Sequence, residues 1–374
     1  MSFIVYPPKL PHTDIDMDMF LLAGAENPVR RFKRTLPAEW FPQSGIQLTW
    51  PHEATDWAYM LDDITECYIR MAYEIAVRER LIIVSPDTAS VKSLLQKRLP
   101  QRVTENIVYC ECPTNDTWAR DHAFLTVIGS GGAELLDFRF NGWGGKFEAR
   151  KDNAINRHLY EQGLVKGNYV DLNDFELEGG SIESDGMGTL LTTASCLLNE
   201  NRHNGCATEI STRVADILGA EQILWLKHGH LEGDDTDGHI DTLARLCPEN
   251  HIAYVKCDDR RDSHYEDLRL MEEELESFKT LRGEPFLLTP LPMPDAVYDE
   301  DGQRLPATYA NFLIMNNAIL LPTYRQPDND ARAEKVLQRL FPKYDVVSID
   351  AVPLIQQHGS IHCATMQYPK GVIL

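Results

Sequence analysis

The chain has 374 residues, 43% hydrophobic and 25% charged, which is enough apolar side chain to bury a sizeable core and excludes a fibrous or disordered polymer. With 57 acidic residues against 36 basic ones the net charge is −21, which argues against nucleic acid or an anionic membrane surface as partners and suits a positively charged ligand. No apolar run approaches the roughly 20 residues that cross a bilayer, and the start lacks a basic segment followed by an apolar one, so the expected location is cytoplasmic.

Residues 1–35 are polar and Pro-containing, with basic residues at Arg30, Arg31, Lys33 and Arg34, and read as an N-terminal extension. A single α/β domain is expected over 36–374. Alternation over 46–50 predicts a strand. Trp57, Leu61, Ile64, Tyr68, Met71 and Ile75 recur at the spacing of one helix face. The run 81–84 is a buried strand, and 89–99 a short helix stopped by Pro100. Strands follow at 107–109 and 124–128, the latter closed by a Gly-Ser-Gly-Gly turn.

A glycine-rich loop, Asn141-Gly142-Trp143-Gly144-Gly145-Lys146-Phe147, comes next. Further strands are expected at 190–193, 222–227 and 252–255, with helices at 209–218, ended by Gly219, and 265–281. Residues 283–307, with five prolines, read as one long irregular loop. A strand pair at 312–315 and 318–321, a helix at 329–340 and a strand at 345–349 lead to the last motif. The alternation of strands and helices, with no linker, makes the class α/β.

Eight cysteines are scattered without a Cys-x-x-Cys pair, so reduced, mostly buried thiols are expected. One of them, Cys363, keeps polar company: His358-Gly359-Ser360-Ile361-His362 runs directly into it. Upstream lie Trp118-Ala119-Arg120-Asp121, Glu178-Gly179-Gly180-Ser181 and Asp235-Thr236-Asp237-Gly238-His239-Ile240-Asp241. His239 and Asp241, two apart, are expected on one face of a strand, one as proton carrier and the other as a fixed anion. The glycines after Glu178 allow a backbone to approach a ligand closely. The run Asp235 to Asp241 has neither the Gly and Glu placement of a calcium loop nor a His-x-x-x-His pair, so no metal is expected there. The lack of a Gly-x-Ser-x-Gly elbow argues against serine hydrolysis. One thiol, one histidine and several carboxylates suit attack on a guanidinium carbon, whose nitrogens pair with carboxylates. The landmarks Trp118, Glu178, His239, Asn311 and Cys363 recur about every 50 to 70 residues, the rhythm of repeated supersecondary units around one centre.

These motifs, with Asn141-Gly142-Trp143-Gly144-Gly145 and Ile361-His362-Cys363, resemble the ordered signatures of the agmatine deiminase and bacterial-type peptidylarginine deiminase family over nearly all of 36–370. The resemblance implies the pentein fold, a five-bladed pseudo-fivefold α/β propeller. It implies Cys363 as nucleophile, His239 as proton donor and acceptor, Asp121 and Asp241 as guanidinium-binding carboxylates, and Glu178 as a supporting carboxylate. Trp118, Trp143, Asp235, Asp237, Gly180 and Arg120 are the candidate substrate-binding residues. No cofactor is implied. The partner implied is a small cationic guanidino substrate, and a homodimer is allowed for. Two departures, His122-Ala123-Phe124 where many relatives have a Gly-Pro pair nearby and Gly359-Ser360 in place of Gly-Asn, leave the reacting groups intact. Agmatine is the favoured substrate, with arginine, peptidyl arginine or an amidinotransferase reaction as alternatives, and a non-enzymatic binder of cations as the reading from another class.

Overall fold

Strand, crossover helix and parallel strand recur along the chain, and the longer helices bury an apolar stripe. In the computed structural model, which describes residues 34–203 and 205–374, the helix Leu61–Ala76 buries Ile64, Tyr68, Met71 and Ile75 completely. Each such side chain is worth about 1.5–3 kcal/mol. The helix Thr88–Arg98 begins where the Asp87 carboxylate accepts the Ser90 N–H at 3.0 Å. It ends where Leu99 turns extended ahead of Pro100. The helix Ala207–Leu218 stops at Gly219, whose φ of 71° is a left-handed cap.

Five sheets share one connectivity: an antiparallel pair, then a crossover, then a parallel third strand. They are built on Leu125–Gly129 with Gly132–Arg139 and Asn168–Glu176, on Glu183–Ser184 with Thr189–Thr193 and Gln222–Leu226, on Ala244–Cys247 with His251–Lys256 and Leu287–Pro292, and on Leu313–Met315 with Ala318–Thr323 and Asp345–Asp350. In the remaining one the C-terminal strand Thr365–Pro369 is the antiparallel partner of Gln43–Thr49, which continues in parallel to Arg80–Ser85 and Ile107–Glu111. The last strand thus closes onto Gln43–Thr49 near the start of the described chain, and Cys363 is delivered by the turn that precedes that last strand. Each of these sheets is open, and no helix among the described residues is long and apolar enough to cross a membrane.

Several expectations need correction. Arg34–Thr35 already pairs with Gly129 and Ile128, so the ordered fold starts ahead of residue 36, while Arg30, Arg31 and Lys33 lie outside the described residues. The 283–307 segment is not irregular: Leu287–Pro292 is an edge strand, where Pro290 and Pro292 cost no ladder partner, and Val297–Tyr298 pairs with Arg304–Leu305 in a ribbon. The helix expected over 265–281 is Tyr265–Ser277, because Phe278 turns extended and packs on an apolar cluster. Gln47 and Thr49, expected on a polar face, are fully buried because their strand is central, and Gln47 Oε1 accepts the Tyr368 hydroxyl at 2.7 Å. His239 and Asp241 do not lie on a strand: Ile240–Thr242 is a 3-10 turn entered through Asp237 and Gly238, both at positive φ.

Candidate active site

Cys363 sits in a tight turn, its carbonyl accepting the Arg120 N–H at 3.1 Å. Asn311 braces it: the amide Oδ1 accepts the His362 and Cys363 N–H groups at 3.0 and 3.2 Å, and Nδ2 lies 3.2 Å from Sγ. Asp241 Oδ2 is 3.7 Å from the sulfur and 2.7 Å from His362 Nδ1. Burial pushes the Cys363 thiol well above its ordinary pKa, and Asp241 and Asp121 add to it against hydrogen bonds from Ser360 and Asn311. Burial also acts on Asp241, but hydrogen bonding and charge from His362, with His239 and Arg245, hold its carboxyl below the usual range.

Asp121, in the one-turn helix Ala119–His122, is held from both sides. Its Oδ2 accepts Trp143 Nε1–H at 3.0 Å, its Oδ1 accepts the Gly180 N–H at 3.1 Å, and His239 Nδ1 lies 3.6 Å away. Burial raises its pKa to about 6, with Asp241 and Glu178 adding to it and His239 and Trp143 opposing. Burial favours neutral His239, yet Asp121, Cys196 and Glu178 together hold its pKa well above the ordinary value. Both ring nitrogens of His239, and Asp241 Oδ1, are buried without a hydrogen-bond partner.

The Glu-Gly-Gly run shows why glycine stands there. A Cβ on Gly180 would lie 2.5 Å from His239 Nδ1, and one on Gly179 2.2 Å from the Arg120 carbonyl oxygen. Trp143 reaches Asp121 from a backbone at φ 54°, wedged edge-on between Phe140 and Phe147. Glu178 receives Arg202 Nε at 3.0 and 3.3 Å.

Cys363, Asp241, Asp121, His239, Glu178, Gly180 and Trp143 therefore converge, while four candidate substrate-binding residues are placed differently. Arg120 points its guanidinium at the His362 carbonyl and the Met366 sulfur. Trp118 packs where a side chain at Gly359 would stand, 2.3 Å from that Cβ position. Asp237 is tied to Arg202, to Lys146 at 2.8 Å and to Asn201 at 3.2 Å. Half-buried Asp235 is raised by burial within a group that includes His358, Asp234 and Lys146.

Glu39, Glu183, Cys196, Arg202, Arg245, Asn311 and His362 were given no role by sequence reasoning. A signal existed for Arg245, a lone charge in the apolar run Ala244-Arg245-Leu246-Cys247, and for His362, next to the nucleophile. Among the described residues, two groups have metal-ligating atoms within 4.8 Å of one another, Glu178 with Cys196 and His239, and Glu39 with Glu183 and His362. In each an arginine, Arg202 or Arg245, already pairs with the carboxylates.

A family model described as Porphyromonas-type peptidyl-arginine deiminase matches residues 35–369. The chain belongs to that family. It is 34% identical over 346 residues to a Legionella pneumophila protein provisionally named agmatine deiminase, covering 90% of this chain and 95% of that one. A crystal structure provisionally described as an arginine deiminase from Porphyromonas gingivalis superposes with a TM-score of 0.87 at 49% identity, covering 91% of this chain and all of that one. A C. jejuni agmatine deiminase, in a cysteine-to-serine variant with substrate bound, superposes with a TM-score of 0.83 at 37% identity, over 90% of this chain and 97% of that one.

Proposed function

We propose that this chain hydrolyses the C–N bond of a small guanidino compound, converting agmatine to N-carbamoylputrescine and ammonia through a covalent thiouronium on Cys363. The observation that carries the reading is a buried site in which Cys363, Asp241, Asp121 and His239 converge while Asp241 Oδ1 and both His239 nitrogens lack hydrogen-bond partners. The charge count supports it. Buried Glu39, Asp121, Glu178, Glu183 and Asp241 face only three buried guanidiniums, those of Arg120, Arg202 and Arg245. With His239 and His362 both protonated these charges only balance, and a thiolate on Cys363 would leave one negative charge over. A cationic substrate supplies the missing charge and brings the N–H donors that a buried carboxylate needs.

In this reading the guanidinium pairs with Asp121 and Asp241, and its charge offsets what keeps the Cys363 thiol protonated. The thiolate sulfur bonds to the guanidinium carbon. The bond to one amino group then breaks as His239 hands it a proton, and ammonia leaves. His239 next takes a proton from a water adding to the same carbon, and the C–S bond breaks to release the ureido product. No step calls for a cofactor or a metal.

Arginine is the second reading, because the Porphyromonas gingivalis relative is described as an arginine deiminase. An amine-ended substrate fits better. Arg202 and Lys146 are paired with carboxylates and Arg120 lies against the His362 carbonyl and the Met366 sulfur, so none of the three is directed at a substrate carboxylate. The five sheets of shared connectivity favour a five-bladed propeller, with 34–374 as one catalytic domain and the site at its axis. A cytoplasmic location and a homodimeric assembly go with this reading; light scattering tests the latter. Ureido-product formation from agmatine, free arginine and a blocked arginine peptide, compared side by side, tests the substrate. Cys363→Ala is expected to abolish ammonia release from all three, and retained turnover would end the proposal.

A further inference from the structure

His362 spans the gap between Asp241 and a buried charge cluster. Its Nδ1 lies 2.7 Å from Asp241 Oδ2 and its Nε2 2.7 Å from Glu39 Oε2, while its backbone N–H is tied to Asn311. Glu39 is itself immobilised: Arg245 Nη2 donates to it at 2.5 Å and the Ile314 N–H at 2.5 Å. Arg245, fully buried, also donates to Glu183 Oε1 at 2.5 Å and lies over the Phe312 ring, 4.6 Å from its centroid. The cluster fastens segments of four of the five sheets to the residue beside the nucleophile.

The consequence falls on the two oxygens of Asp241. Oδ2 meets His362 and approaches the Cys363 sulfur, whereas Oδ1 is buried without a partner. The terminal torsion of an aspartate is broad, so an unclamped carboxylate would turn freely between these roles. We propose that His362, braced by Glu39 and Arg245, is a positioning residue that divides the work of Asp241, holding Oδ2 beside the sulfur and leaving Oδ1 for a guanidinium N–H. The inference rests on the guanidino reading above. Glu39, which His362 and Arg245 hold at about 2 against the opposing effect of burial, stays ionised and keeps the brace in place over the working pH range.

The test is binding of agmatine to the full-length Cys363→Ala protein, measured by calorimetry so that no turnover intervenes. His362→Gln or Glu39→Gln is added, each with and without Asp241→Asn. Loss of a charge-assisted hydrogen bond predicts about ten- to hundredfold weaker binding for His362→Gln. The acid limb of the affinity profile should also move to higher pH, because Asp241 loses the partner that keeps it ionised; general loosening of the fold would not move it. In the Asp241→Asn background His362→Gln should add less than about twofold, since the clamp has nothing left to hold. Glu39→Gln should act in the same direction and more weakly, and it decides the matter if His362→Gln fails to fold. Unchanged affinity and pH profile in the folded variants, or full additivity with Asp241→Asn, would overturn the inference. Failure of the parent Cys363→Ala protein to bind agmatine would instead overturn the proposed function.

Discussion

Adding one methyl group at Gly180 should stop the chemistry while leaving the molecule folded. The Cβ of Gly180→Ala would lie 2.5 Å from His239 Nδ1 and 2.8 Å from Asp121 Oδ1. An ordinary contact is about 3.5 Å, so the imidazole has to retreat by about 1 Å. Overpacking of this kind costs about 1–3 kcal/mol of stability. A displacement of about 1 Å from reacting geometry costs on the order of a hundredfold in rate, close to 2.7 kcal/mol of barrier. The assay is ammonia release under saturating agmatine, with urea unfolding run in parallel. Gly131→Ala is the control, because no atom lies within 4 Å of its Cβ position and its φ is not positive, and it should leave both readouts unchanged. If folded Gly180→Ala keeps a wild-type kcat, His239 does not work at the place where the structure puts it, and the proton-transfer role fails.

Other expectations follow from the electrostatics. Trp143→Phe removes the N–H that opposes the rise of Asp121, so the acid limb of kcat/KM, expected near the Asp121 pKa of about 6, should move up by as much as about one pH unit. Activity falls as pH drops through that limb because the protonated carboxyl no longer attracts the guanidinium; a limb that stays in place refutes the assignment. Arg245→Met leaves Glu39 and Glu183 buried without their cation and should cost about 3–5 kcal/mol, read from urea midpoints. Glu79, raised by burial to about 8, binds more protons folded than unfolded between its ordinary value and that pH. Its contribution to stability is therefore present in acid and lost as pH rises through that window, and Glu79→Gln should flatten the stability profile there.

Sequence by itself determined the elements whose cause is local and the types of group that the candidate site gathers. The helix Leu61–Ala76 follows from the spacing of Ile64, Tyr68, Met71 and Ile75, and Gly219 and Pro100 mark helix ends by their own backbone chemistry. Cys363, His239, Asp121 and Asp241 were legible because each stands in a short motif of the right residue types. The edge strand Leu287–Pro292 was hidden by its prolines, whose tolerance depends on which strand lies beside them. The half-polar strand Asn168–Glu176 gave no local signal, since it is half-exposed along most of its length.

Only the tertiary structure decided partnership. Glu39 meets His362 and Arg245 across 323 and 206 residues, and nothing near Glu39 in the chain marks it for either. Arg120 and Asp237, which share their motifs with Asp121 and His239, turn instead to Met366 and to Arg202 with Lys146. The physical reason is range. A motif records which chemistry a few neighbouring residues can perform, whereas the pairing of buried charges depends on which loops the five sheets bring to one buried centre.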